Sequence, residues 1–285
     1  METSGFLPKI KVHTWGGLGS QLYAIALAID LQDRFLNRRF EYVCHSGGVT
    51  KREPAIQFYS KKIRVINDFN KITIYAKDEK KNTVLIFSKK LLYLSGILAK
   101  CNDDIDTSKL KPWVLFIRGH YSSRKISLTS AKNIFEKINN ECQSEDGINI
   151  YREITCHYRL GDLEQLSEKS SISSRVLGNT IETVSESISA KTIYLYSDST
   201  DLAKSKLLKE SAKLDIVINE VSPLKTIHEC LHSDIFVGTN SKISIWIAIL
   251  RATKNEKYTS HLPIEIKKMI IGFEGSFMSK SIKFY

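Results

Sequence analysis

Between residues 153 and 252 the apolar residues change their spacing repeatedly. Short apolar runs at 153–158, 192–196, 215–219 and 234–237 alternate with stretches of helical spacing at 173–188, 202–212, 224–232 and 242–252. Runs without polar alternation belong to strands covered on both faces, and a repeated strand-then-helix order calls for a parallel sheet flanked by helices. The fold class is therefore α/β. In such sheets ligands sit beyond the carboxyl ends of the strands. Three polar groups fall there: His157-Tyr-Arg-Leu-Gly-Asp162, Ser197-Asp198 and Thr239-Asn-Ser241.

The first half opens the same way. A short strand at 9–14 leads into Trp15-Gly-Gly-Leu-Gly-Ser-Gln21 and then into 22–35, where Leu22, Ile25, Ala26, Ile29 and Phe35 recur at helical spacing. A second strand is expected at 40–44, another at 113–117 ending in Arg118-Gly-His-Tyr-Ser-Ser123, and a helix at 131–138. Between them, 62–66, 72–75 and 83–87 are short apolar runs in a Lys/Arg-rich middle that has no clear period. The polar, turn-rich segment 143–148 serves as the linker, giving an N-terminal domain at 1–144 and a C-terminal domain at 145–285.

At 285 residues, with 42% hydrophobic and 26% charged residues, the chain is long enough for two cores and is far from a disordered composition. Its longest apolar stretches, 91–98 and 243–250, are shorter than the ~18 residues a spanning helix requires. The first eleven residues lack a leader pattern, so the expected location is the cytoplasm. Five widely spaced cysteines with no C-x-x-C pair argue against a disulfide framework or a structural zinc site. The net charge of +11 lies wholly in residues 1–144, which hold 24 Lys+Arg against 13 Asp+Glu. Such a half suits an anionic partner: a membrane surface, a lipid-linked diphosphate or nucleic acid. Aromatics do not interleave with the basic runs as stacking platforms would, so no nucleic acid is expected. Basic pairs at Lys51-Arg52, Lys61-Lys62, Lys80-Lys81 and Lys89-Lys90 make the anionic inner face of a membrane the better candidate.

Gly16-Gly-Leu-Gly19 lets a ligand approach the backbone and aims the N–H groups of the next helix at it, as phosphate or a sugar requires. A nicotinamide-dependent oxidoreductase competes for this loop, because Gly17-x-Gly19 follows a strand and Glu41 ends the next one. Leu22 in place of the third glycine weakens that reading. Arg159, at a strand end, offers a planar fork to a diphosphate, or an ion pair to Asp162. His157 is given a positioning role. Thr239, Asn240, Ser241 and Ser244 bring hydroxyls and free N–H groups to a helix N-terminus, where an ordinary N-cap is the simpler explanation.

Gly16-Gly-Leu-Gly-Ser-Gln21, Gly119-His-Tyr-Ser-Ser123, His157-Tyr-Arg-Leu-Gly-Asp162, Ser197-Asp198 and Asn240-Ser-Lys-Ile-Ser-Ile-Trp246 together resemble, in order and spacing, the motifs of the bacterial alpha-1,2-fucosyltransferase family, glycosyltransferase family 11. The resemblance implies a GT-B fold, two Rossmann-like domains facing each other across a cleft. It implies an inverting transferase moving a deoxyhexose, L-fucose first, from a GDP-sugar to a glycan hydroxyl in surface-polysaccharide or O-antigen synthesis. The acceptor, lipid-linked in that setting, would bind the N-terminal domain and the donor mainly the C-terminal one. GDP-sugar is a co-substrate, and neither cofactor nor metal is implied. By the same resemblance Arg159 neutralises the diphosphate, Asp198 contacts the guanosine, Ser241 and Ser244 contact the phosphates, and Gly17 and Gly19 line the cleft. Ser20, Leu160, Ser199 and Ile245 depart from the family pattern, which leaves GDP-colitose or another GDP-deoxyhexose open. An inverting displacement calls for a base at the acceptor hydroxyl, for which Asp162 and Glu164 are the candidates.

Overall fold

The computed structural model describes residues 8–45, 54–60, 63–66, 83–146, 152–161, 172–210, 214–254, 257–270 and 281–285. The chain forms two compact units, Met1–Ser130 and Ala131–Tyr285.

In the first unit, β1 (Ile10–Trp15), β2 (Phe40–His45), β3 (Ile63–Ile66), β4 (Leu98–Lys100) and β5 (Phe116–Arg118) form a parallel sheet in the order β3-β2-β1-β5-β4. Ile10, Val12, His13 and Thr14 of β1 are all buried, as a strand covered on both faces requires. Helix α1 (Leu18–Asp30) is buried on nearly every side, with Leu22, Ala24, Ile25, Ala26 and Leu27 fully inaccessible. Burial of each leucine or isoleucine here contributes about 1.5–3 kcal/mol. Helices α2 (Thr83–Leu94) and α3 (Asp104–Ser108) flank β4 in sequence. At the end where the strands begin, buried Arg38 donates from Nε to the Pro8 carbonyl at 2.9 Å and from Nη1 to the Pro112 carbonyl at 3.0 Å. One guanidinium thus ties together the segments that enter three of the strands.

Helix α4 (Leu128–Asp146) spans the division between the units. Its first turn belongs to the first: Asp30, at the end of α1, accepts from Ser127 Oγ at 2.5 Å and from Ser130 Oγ, and pairs with Arg124 at 3.4 Å. The units accordingly part at 130/131 where the sequence suggested 144/145, because the polar stretch beginning at 143 continues the helix to Asp146.

The second unit holds β6 (Arg152–Tyr158), α5 (Ser174–Ile188), β7 (Thr192–Ser197), α6 (Thr200–Glu210), β8 (Asp215–Asn219), α7 (Pro223–Cys230), β9 (Ser233–Gly238), α8 (Lys242–Lys254), β10 (Thr259–Leu262), α9 (Lys267–Ile270) and β11 (Ile282–Phe284). Its sheet is parallel in the order β11-β10-β9-β6-β7-β8, so the strand order reverses between β6 and β9. This is the doubly wound dinucleotide-fold order, whose binding crevice lies at that reversal. Ile154, Cys156 and Tyr158 of β6 join Leu177, Ile181 and Val184 of α5 and Ala203 and Leu207 of α6 in one core. Thr155 and His157 point to the opposite face, where α8 packs. On that face Arg251 of α8 is wholly buried. It donates to the carbonyls of Cys230, Ser233, Asp234 and Thr259 and to the hydroxyls of Ser233 and Ser260. Burial lowers its pKa to about 10.

The α/β class and two Rossmann-like units are therefore as the sequence indicated, and the alternation from 153 to 252 matches element for element. The strand expected at 113–117 is shifted. Pro112 and Trp113 instead make a turn, with Val114 N–H bonded to the Lys111 carbonyl at 3.0 Å, and the strand begins at Phe116. The run at 83–87 is the start of a helix, and 72–75 lies outside the described residues. All five cysteines are buried free thiols.

Candidate functional site

Where β6 and β9 part, one hydroxyl holds the two chain ends together. Thr239 Oγ1 donates to the His157 carbonyl at 3.1 Å and accepts from the Arg159 N–H at 3.0 Å. His157, buried, meets Ser244 Oγ through Nδ1 at 2.8 Å, and the same Oγ accepts from the Thr239 N–H at 3.1 Å. Burial is the main cause that lowers the His157 pKa to about 4; Asp198 opposes the shift and Arg159 reinforces it. The ring is neutral at physiological pH and serves as a spacer between strand and helix.

Arg159 follows the strand. Its Nη1 pairs with Asp198 Oδ2 at 2.8 Å, both side chains being about one-fifth exposed at 22%. The other carboxylate oxygen, Oδ1, accepts from the Leu160 N–H at 3.0 Å. A Cβ on Gly161 would stand 2.1 Å from Oδ2, so only glycine lets the backbone close over this carboxylate. Asp198, at the end of β7, thus orients the guanidinium; Asp162, the partner weighed in the sequence, lies outside the described residues.

Helix α8 begins beside them. Ser241 is its N-cap, with Oγ accepting from the Ile243 N–H at 3.1 Å and its carbonyl from the Ile245 N–H at 3.0 Å. A Cβ on Gly238 would lie 2.7 Å from Ser244 Cβ and 2.8 Å from Leu262 Cδ2, so glycine is what lets the first turn of α8 sit against the strand end. Asn240 and Ser241 are half-buried, while Ser244 is fully buried with its hydroxyl occupied as described. Ser244 supports the site from behind instead of facing a ligand.

The matching edge of the first unit has a different chemistry. Gly17 is the extended N-cap of α1, with no side-chain cap, and nothing lies within 4 Å of where its Cβ would be. Gly19 is buried in the first turn. Gln21, 1% exposed, donates from Nε2 to the Gly16 carbonyl at 2.9 Å and accepts from the Ala55 N–H at 2.8 Å, which fixes the loop to the 54–60 segment. Beside the loop Trp15 stacks on His45, centroids 4.5 Å apart and planes at 8°, with the Arg118 guanidinium 5.6 Å over the indole. His45 Nε2 meets His13 Nδ1 at 2.9 Å, and burial, aided by Arg118, lowers the His45 pKa to about 4.

His157, Arg159, Asp198, Asn240, Ser241 and Ser244 are thus gathered at one edge of the second unit, and Gly17 and Gly19 lie in the first. Asp162 and Glu164 lie outside the described residues. Among the described residues, no three His, Cys, Asp or Glu side chains gather as a metal would require. Sequence reasoning missed the tie made by Thr239 and the one made by Gln21. Thr239's place next to Gly238 at a strand end was the available signal for the first, and nothing in the local pattern marked the second.

No protein-family model matches the chain, and no curated protein does. Among solved structures, the chain is similar to the Escherichia coli heptosyltransferase WaaC with ADP, at 9% identity and TM-score 0.49, over 94% of this chain and 91% of that one. It is similar to POFUT1 in complex with GDP-fucose, at 13% identity and TM-score 0.43, over 92% of this chain and 99% of that one. A family 9 glycosyl transferase from Veillonella parvula is 7% identical with TM-score 0.42, over 90% of this chain and 80% of that one.

Proposed function

We propose that the chain is an inverting glycosyltransferase of GT-B architecture that moves a deoxyhexose, L-fucose first, from a GDP-sugar to a hydroxyl of a glycan acceptor in surface-polysaccharide or O-antigen synthesis. The observation that carries this is the placement of Arg159, oriented by Asp198, beside the N-terminus of α8 at the β6/β9 strand reversal. The motif resemblance to glycosyltransferase family 11 supports the donor class.

In the displacement, an acceptor oxygen attacks the anomeric carbon, the bond from that carbon to the diphosphate oxygen breaks, and the acceptor proton passes to a base, Asp162 or Glu164. Negative charge leaves on the diphosphate. A guanidinium and the N–H groups of a helix first turn stabilise it there without a metal. Asp198 holds the guanidinium, so its assigned role is to orient Arg159, and contact with the guanosine is a second role to test. Asn240 and Ser241 offer the polar atoms nearest the helix N-terminus. On the acceptor side the open backbone at Gly17, with half-buried Trp15 beside it, provides room for a sugar ring.

The test is GDP release from a panel of GDP-sugars, with GDP-fucose the preferred donor and the rate unchanged in excess EDTA. GDP should raise the melting temperature by several degrees at concentrations far above its Kd. Protection by NAD but not by GDP would instead establish the oxidoreductase reading of the glycine loop. A rate lost in EDTA and restored by magnesium would overturn the metal-free mechanism.

A further inference from the structure

Among the described residues, the first unit presents an exposed apolar surface. Phe87, Leu91 and Leu94 follow one another at i, i+4 and i+7 along α2, a single helix face, and are 61%, 50% and 76% exposed. The indole N–H of Trp113, itself 56% exposed, donates to the Ser95 carbonyl just past α2 at 2.7 Å, so the ring extends this face. Arg34 donates from Nη1 to the Thr107 carbonyl at 2.9 Å, and Arg38 to that of Pro112, which brings exposed Leu36 to the same end of the sheet. Exposed Arg34, Arg39, Lys90, Lys109 and Lys111 lie within a few residues of these in the chain, with Asp33 the acid in the turn. The acids of α3 follow the carboxyl end of β4 and so belong to the other edge.

We propose that α2 and the adjoining N-terminal edge of the first sheet form a docking surface for an anionic lipid bilayer. A twelve-residue helix is ~18 Å long, too short to span but suited to lie flat in the headgroup region with its apolar face down. Tryptophan fits that depth, with an apolar body and a polar N–H. The charge selects the partner. Apolar residues interspersed with Lys and Arg, in a half-chain with a net +11, complement anionic headgroups, whereas a second copy would bring like charges face to face. Docking here leaves the carboxyl edge, with Gly17 and the Trp15–His45 pair, free for a glycan. Of the basic pairs noted in the sequence, Lys89-Lys90 lies on this helix, and the other three are outside the described residues. The proposal is independent of the transferase reading, because it is tested without donor or acceptor.

The full chain is sedimented with phosphatidylcholine vesicles with and without phosphatidylglycerol. Binding should require the anionic lipid and fall by about 10-fold or more as salt rises through the physiological range. Trp113 is the exposed one among three tryptophans, Trp246 being buried and Trp15 half-buried. Its emission should therefore shift to the blue on binding, and Trp113→Phe should abolish the shift. Phe87→Glu with Leu91→Glu and Leu94→Glu should cut binding at least ~10-fold. Lys90→Gln with Lys109→Gln and Lys111→Gln, changes that leave the apolar face intact, should also weaken it and flatten its salt dependence. Equal partition onto neutral vesicles, or unchanged binding in both triple variants, would overturn the proposal. So would self-association without lipid binding that the Glu variant abolishes, which would assign the face to a second copy.

Discussion

The two sheets end in different materials at equivalent places. At the carboxyl edge of the second, the exposed groups are an arginine gripped by a carboxylate and a helix cap, with a neutral histidine and a buried serine behind them. At that edge of the first, an indole and an imidazole lie face to face, roofed by a guanidinium, beside a bare glycine backbone. In the function proposed above, the edge of the second sheet compensates concentrated negative charge and that of the first meets a flat, largely uncharged sugar. On that proposal, the architecture would separate two demands of group transfer, a leaving group that becomes anionic and a nucleophile that arrives neutral.

The largest effect that sharpens this contrast lies at the opposite, amino end of the second sheet, where Arg251 holds the residues that open β9 and β10. Arg251→Met leaves the carbonyls and hydroxyls it serves without their donor and should cost about 3–5 kcal/mol. An unfolding free energy from urea titration that falls by less than a quarter of that would mean that waters replace the guanidinium and that the charged edge does not depend on it. Next, Arg159→Lys keeps the charge and loses the fork, so GDP affinity or turnover should fall ~10-fold or more. Trp15→Ala should leave GDP affinity unchanged and raise the acceptor KM by ~2–10-fold, the scale of a lost aromatic contact. If both substitutions moved GDP affinity equally, the division between the edges would collapse. The smallest effect concerns pH. His45 and His157 are held near a pKa of about 4 by burial, against about 6.5 in an unfolded chain. Their stabilising share is intact above pH ~6.5 and is lost as pH falls towards 4, because the unfolded chain takes up protons first. His157→Gln should flatten that acid loss in a pH series of melting temperatures; a slope unchanged from the parent would show that other groups set it.

Much of the second unit could be read from sequence because its strands are covered on both faces and its helices are one-sided, so the period of the apolar residues is the fold. Strands β10 and β11 escaped because Thr259, Ser260 and His261 look like loop, and because Ser260 is buried to receive Arg251, a partner outside any local window. Arg251 itself reads as a basic residue closing a helix. In the first half, α2 is apolar around most of its circumference, so it has no stripe to reveal a core side; the exposed Phe87, Leu91 and Leu94 explain why. Arg159, Asp198 and Ser241 were legible as polar residues at strand ends. Ser244 shows what sequence hides, since a hydroxyl in a first helical turn looks available until it is seen bonded to His157.

Thr239 has a consequence for how far the second sheet reaches. Past β6 the chain leaves for the face of α5, and past β9 for that of α8, so the two backbones must diverge. A side-chain hydroxyl that both gives and receives acts there as one additional rung of the ladder, delaying the fork by a residue and setting Arg159 at its tip. Serine is the only other side chain of that size with both functions. Valine at 239 would keep the volume yet let the fork begin earlier, and the guanidinium would start from a different place.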